Sequence, residues 1–151
     1  MSDKGMVEIG WVHLDSDANM GKMVVLKQAA EDERYFLMFV GNAEFAAIAK
    51  EKGMVQSPRP VTHELYLSIL DKVQVDFLRV EIHSLRQDTY YANVVIRVNG
   101  AEHAIDSRPS DAVALALNRG ISIMVAEELF HRRLSQKEIR EYEDIVKRVN
   151  F

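Results

Sequence analysis

The chain has 151 residues, 48% of them hydrophobic, with 19 Lys and Arg against 23 Asp and Glu, no Cys and 3 Pro. That length suits one domain, and the missing cysteines exclude disulfides, thiolate zinc sites and a cysteine nucleophile and fit a reducing, cytoplasmic setting. A net charge of −4 excludes a broad basic surface for nonspecific nucleic-acid packaging, and the apolar content excludes a disordered chain.

The start, Met1-Ser2-Asp3-Lys4-Gly5-Met6, lacks the apolar stretch and small-residue cleavage site of a signal peptide. The most apolar window, residues 36–49, is shorter than the roughly 20 residues of a membrane span and contains Glu44, so no membrane association is expected. Val7, Ile9 and Trp11 alternate with Glu8, Gly10 and Val12, which predicts one half-buried strand over residues 6–14 that turns at Asp15-Ser16-Asp17-Ala18-Asn19. Residues 22–28 and 34–40 follow as strands around the acidic turn Glu31-Asp32-Glu33. Phe45, Ile48 and Ala49 at helical spacing predict a helix over 42–52 that stops at Gly53. Beyond Pro58 and Pro60, Thr62 is placed to cap a second helix whose apolar stripe is Leu65, Ile69 and Val73, with Leu67 and Leu70 beside it.

The same order then returns. Residues 75–82, 90–98 and 101–106 read as strands, the last two joined by the hairpin signal Asn99-Gly100, and a helix runs from Pro109 to Gly120. Glu44 to Ala49 aligns with Asp111 to Ala116, acid to acid and alanine to alanine, which reads as an internal duplication of a β-β-β-α-α unit. Residues 121–125 read as a short strand and 127–131 as a short helix. Ser135-Gln136-Lys137-Glu138 is a capping box for a C-terminal helix over 135–150, with Ile139, Tyr142, Val146 and Val149 as its stripe. The predicted class is α+β: a single domain over 1–151 with a mostly antiparallel sheet, helices packed on it and a C-terminal helix.

The chain has no glycine-rich phosphate loop, Gly-x-Ser-x-Gly elbow, His-Glu-x-x-His zinc helix or calcium loop. Two polar clusters stand where a loop enters a helix: Ser57-Pro58-Arg59-Pro60-Val61-Thr62-His63-Glu64 and Asp106-Ser107-Arg108-Pro109-Ser110-Asp111. A helix N-terminus offers free N–H groups and a positive dipole end, and an adjacent arginine adds a fork suited to phosphate. The same residues have a plain structural reading, in which Glu44, Glu64 and Asp111 complement helix dipoles, Thr62 caps and Arg108 pairs with a nearby carboxylate. Both readings stay open at this level. His63 reads either as a catalyst or as a capping histidine, and Asp106, closing a strand beside a helix start, is a candidate functional carboxylate. His13, His83, His103, His131 and Trp11 read as structural.

The run Asp106-Ser107-Arg108-Pro109-Ser110-Asp111-Ala112, preceded by Arg59-Pro60-Val61-Thr62-His63, closely resembles the bifunctional nuclease domain family over about residues 7–130. Gly41 with Glu44 and Ala47, Tyr91-Ala92 and Val125-Ala126-Glu127-Glu128 are further matches. The chain departs from the family in having Glu64 where Asp is usual, Asn118 where Arg is frequent and no Trp near Met38-Phe39. The resemblance implies hydrolysis of RNA or DNA. His63 would then act as general acid or base, Asp106 and Asp111 with Glu64 would hold magnesium or manganese, and Arg59 and Arg108 would bind phosphate. A homo-oligomer is also expected, because a small domain with open sheet edges tends to cover them. The competing class is a non-catalytic oligomeric binding or assembly module in which the same motifs fix helix entries.

Overall fold

The alternation over residues 6–14 makes two strands, not one. In the computed structural model of the protein, which describes residues 5–131, β1 (Met6–Glu8) pairs with β8 (Ser122–Ala126), whereas β2 (Trp11–Asp17) pairs with β3 (Gly21–Lys27). The chain changes sheets at Ile9-Gly10. Gly10 N–H donates to the Lys27 carbonyl at 3.0 Å, and a Cβ on Gly10 would stand 2.5 Å from the Gln28 carbonyl oxygen. That neighbour is backbone one residue beyond the paired end of β3 and cannot swing aside as a side chain would. Gly10→Ala is therefore expected to cost about 2–3 kcal/mol, read as a lower denaturation midpoint at unchanged m-value. A loss below about 0.5 kcal/mol would mean that the backbone there yields freely.

β2, β3 and β4 (Phe36–Val40) form a three-stranded antiparallel sheet, followed by α1 (Asn42–Glu51) and α2 (Thr62–Lys72). A second antiparallel meander follows, made of β5 (Asp76–Arg86), β6 (Thr89–Val98) and β7 (Ala101–Ser107), and then α3 (Pro109–Arg119). Asn99 and Gly100 both have positive φ, as the predicted tight hairpin requires. β8 runs parallel to β5 and completes a five-stranded sheet of order β1-β8-β5-β6-β7. The class is α+β, as the sequence pattern predicts.

The core lies between the sheets and the helices. Residues 112–116 of α3 are all buried, and this alanine-rich helix packs against α1, β5 and β6. Small side chains let those backbones approach. Phe36 of β4 is fully buried and meets the Tyr90 ring of β6 edge-on at 5.0 Å, which ties the small sheet to the large one.

Three further expectations need correction. The order β-β-β-α occurs twice, but the five-element unit does not, since α3 is followed by β8 and a single 3-10 turn (Glu127–Leu129) where a counterpart of α2 would stand. Ile123 and Val125 of β8 are instead buried beside β5, where the apolar strand covers what would be an open edge. The stripe Leu65, Ile69 and Val73 faces outward at 56%, 56% and 63% exposure, and α2 is seated through His63 and Leu67. The helix N-cap is Val61, with Thr62 as its first residue. Val61 has no side-chain acceptor, and Glu64 reaches back to its N–H at 2.9 Å. The Ser135 capping box and the helix over 135–150 lie outside the described residues. Among those described, no helix is long and apolar enough to cross a membrane.

Candidate functional site

Each of the three helices carries a carboxylate at its third residue: Glu44 in α1, Glu64 in α2 and Asp111 in α3. Negative charge there complements the helix dipole. Each also meets a cation. Arg108, the extended N-cap residue of α3, donates Nε to Asp111 Oδ2 at 2.7 Å and Nη2 to Asp111 Oδ1 at 3.1 Å, while its Nη1 reaches Glu44 Oε1 at 3.2 Å. One guanidinium thus joins the starts of α1 and α3. The Asp111 carboxylate, and after it Glu44, raise the Arg108 pKa above its already high value, so the group is charged throughout.

Lys50 of α1 donates to Glu64 Oε1 at the start of α2. That hydrogen bond, and then the one from Val61 N–H, hold the Glu64 carboxyl below its ordinary value of 4.5. A depressed carboxyl contributes stability above its unfolded pKa and loses it as pH falls through the folded pKa. Glu64→Gln is accordingly expected to flatten the fall of stability between about pH 5 and pH 3, measured by denaturant titration at each pH. A slope equal to that of the unaltered protein would remove Glu64 from the acid response.

The third junction is Glu51. Its Oε1 accepts from His63 Nε2 of α2 at 2.7 Å and from Asn118 Nδ2 of α3 at 3.1 Å, so one carboxylate oxygen joins three helices. His63 is 8% exposed. An ionised carboxylate only accepts, which places the ring proton of neutral His63 on Nε2 and leaves Nδ1 as the basic nitrogen.

A groove of about 430 Å³ opens between α1, α2 and the start of α3, and His63, Tyr66, Arg108, Ser110 and Asp111 line it. Burial raises the Tyr66 hydroxyl pKa, and the Asp111 charge raises it further. Of the residues singled out in the sequence, His63, Arg108 and Asp111 come together here. Arg59 and Glu64 line a second pocket of about 430 Å³, which shares Lys50 and Ser57 with the first. Asp106 lines neither; it is an exposed residue of β7 opposite Asn93.

Metal holding by Asp106 and Asp111 requires both carboxylates in one donor cluster. Asp111 is bound bidentately by Arg108, Asp106 stands off the groove, and among the described residues no three His, Asp or Glu side chains gather. As arranged, they do not present the oxygen donor set of a magnesium or manganese site. Sequence reasoning missed Lys50 and Glu51, and marked Asn118 only as a departure from the family pattern. One usable signal was the seven-residue spacing of Glu44 and Glu51, which puts both acids on the same side of α1.

A family model described as the bifunctional nuclease domain matches residues 24–138. Two uncharacterized proteins, from two strains of Mycobacterium tuberculosis, are each 34% identical over 122 residues, covering 81% of this chain and 73% of their own.

Proposed function

The chain belongs to the bifunctional nuclease domain family, and on that footing we propose that it hydrolyses phosphodiester bonds of RNA or DNA in the groove between α1, α2 and the start of α3. The observation that carries the reading is the convergence of His63, backed by Glu51, with Arg108 in the lining of one groove. Glu51 orients the imidazole as the acid of a catalytic triad does, so that Nδ1 takes a proton from water as its oxygen bonds to phosphorus. The P–O bond to the sugar then breaks, and the proton held on Nδ1 passes to the departing oxygen. Arg108 and the free N–H groups opening α3 supply positive potential where charge grows on the phosphate oxygens.

The test is cleavage of labelled single-stranded and duplex RNA and DNA in magnesium, manganese and EDTA. Product that tracks the protein peak through a final sizing column supports the reading. Absence of product under every condition overturns it.

A second reading, the non-catalytic assembly module, is favoured by one observation. Arg108, Glu64 and His63 are all engaged by partners within the chain, and each contact joins one helix to another. Removing one member of such a cluster leaves the other charge uncompensated, so the motifs have a structural role without any chemistry. The exposed stripe of α2 is the surface such a module would use.

A further inference from the structure

We infer that the second pocket, through Arg59, is where a single strand of nucleic acid anchors its phosphate, and that the groove of Arg108 receives the neighbouring nucleotide. The inference rests on the hydrolytic reading only in taking a polynucleotide as the ligand. Charge separates the two openings. The groove is lined by two cations, Lys50 and Arg108, and two carboxylates, Glu44 and Asp111, so its formal charges cancel. The second pocket has three cations, Lys50, Arg59 and Arg119, against Glu64 and Asp71, an excess of one positive charge. Lys50 is taken by Glu64, and Arg119 donates to Asp71 at 2.9 Å. Arg59 is left, its side chain without a hydrogen bond or ion pair among the described residues.

Its backbone is fixed, although its guanidinium is exposed. Pro58 and Pro60 restrict the chain on both sides, and Ser57 Oγ donates to the Arg59 carbonyl at 2.7 Å. A charged fork on a stiff loop loses little freedom on binding. Because Lys50 and Ser57 border both openings, the two adjoin, and each has the volume of a nucleotide-sized group rather than a duplex. In an acidic chain, phosphate attraction has to be local, and this is the opening with charge to spare.

Fluorescence anisotropy with end-labelled oligo-dT and oligo-rU, in EDTA and across a salt series, tests the assignment without turnover. Arg59→Ala is expected to weaken binding about tenfold and to lower the slope of log affinity against log salt by about 0.7. Arg97→Ala removes the same charge from an exposed position on β6 and is expected to leave both quantities unchanged. Equal effects of the two variants, or a larger loss in Arg108→Ala than in Arg59→Ala, would overturn the inference. Inorganic phosphate competing as well as an unlabelled oligomer, or a labelled duplex binding more tightly than either single strand, would overturn the strand assignment. Arg59-dependent binding by a protein that cleaves nothing supports the subsite and removes the nuclease reading. Cleavage by a protein whose binding ignores Arg59 does the reverse.

Discussion

Glutamine in place of His63 is expected to lower phosphodiester cleavage by about a hundredfold to ten-thousandfold, the range that a positioned general base supplies. Glutamine is the informative choice because its side-chain amide can still donate to Glu51, which keeps the α1–α2 contact while removing the titratable nitrogen. Far-ultraviolet circular dichroism and the melting temperature should therefore change little. Glu51→Gln tests the residue behind it. Its amide keeps an acceptor oxygen but loses the charge that favours the protonated imidazole, so cleavage should fall less than in His63→Gln, with the acidic limb of the pH–rate profile, where the base must shed its proton, moved to lower pH. Glu51 is a positioning residue in this scheme, and a purely structural role would not move that limb. Cleavage by His63→Gln within about threefold of the unaltered protein would take His63 out of the chemistry.

Phe36→Ala carries the largest expected effect on stability, about 3–5 kcal/mol. The ring is fully buried and sits edge-on to Tyr90, and the sheets that these two residues belong to share no hydrogen-bonded strand. Their union depends on side-chain packing there, so the lost ring leaves a void that paired backbone on both sides prevents from closing. Domains of this size are stable by only about 5–15 kcal/mol, which makes the change a large share of the total. Urea denaturation monitored by circular dichroism measures it, with Ile69→Ala on the exposed face of α2 as the comparison, expected within about 0.5 kcal/mol of the parent. A loss below about 1.5 kcal/mol for Phe36→Ala would mean that the two sheets settle onto one another and that the joint is soft.

What local chemistry decides was legible in the sequence. Asn99-Gly100 requires positive φ, Gly120 closes α3 in the left-handed region, and Arg108 with Asp111 sits at the i,i+3 spacing of a helix start. What depends on distant neighbours was not. The alternation on either side of Gly10 is the same, and only the approach of the Gln28 carbonyl marks where one sheet ends. α2 has apolar residues on more than one side, and periodicity alone cannot say which side meets the body, since that is settled by His63 and Leu67 against their neighbours. In the site, Glu51 finds His63 at a separation of 12 residues and Asn118 at 67, and neither spacing has a signature in the chain. The motif residues were visible, but the carboxylate that organises one of them was not. Asp106 is the converse case: it stands in the most distinctive motif of the chain, yet lines neither opening.

The pairing of β1 with β8 places Met6 beside Ala126, and the Glu127 N–H donates to the Gly5 carbonyl. The first described strand therefore has no partner until residues 124–126 have been synthesised. That pairing spans a long stretch of chain, and its loop-closure entropy falls on the step in which the earliest described residues dock on the latest. A ribosome-bound chain can assemble the β2-β3-β4 meander early, but it must leave the edge of β8 for the end. The sheet is completed by the two ends of the described chain, so its edge strand is added only after β8 has formed.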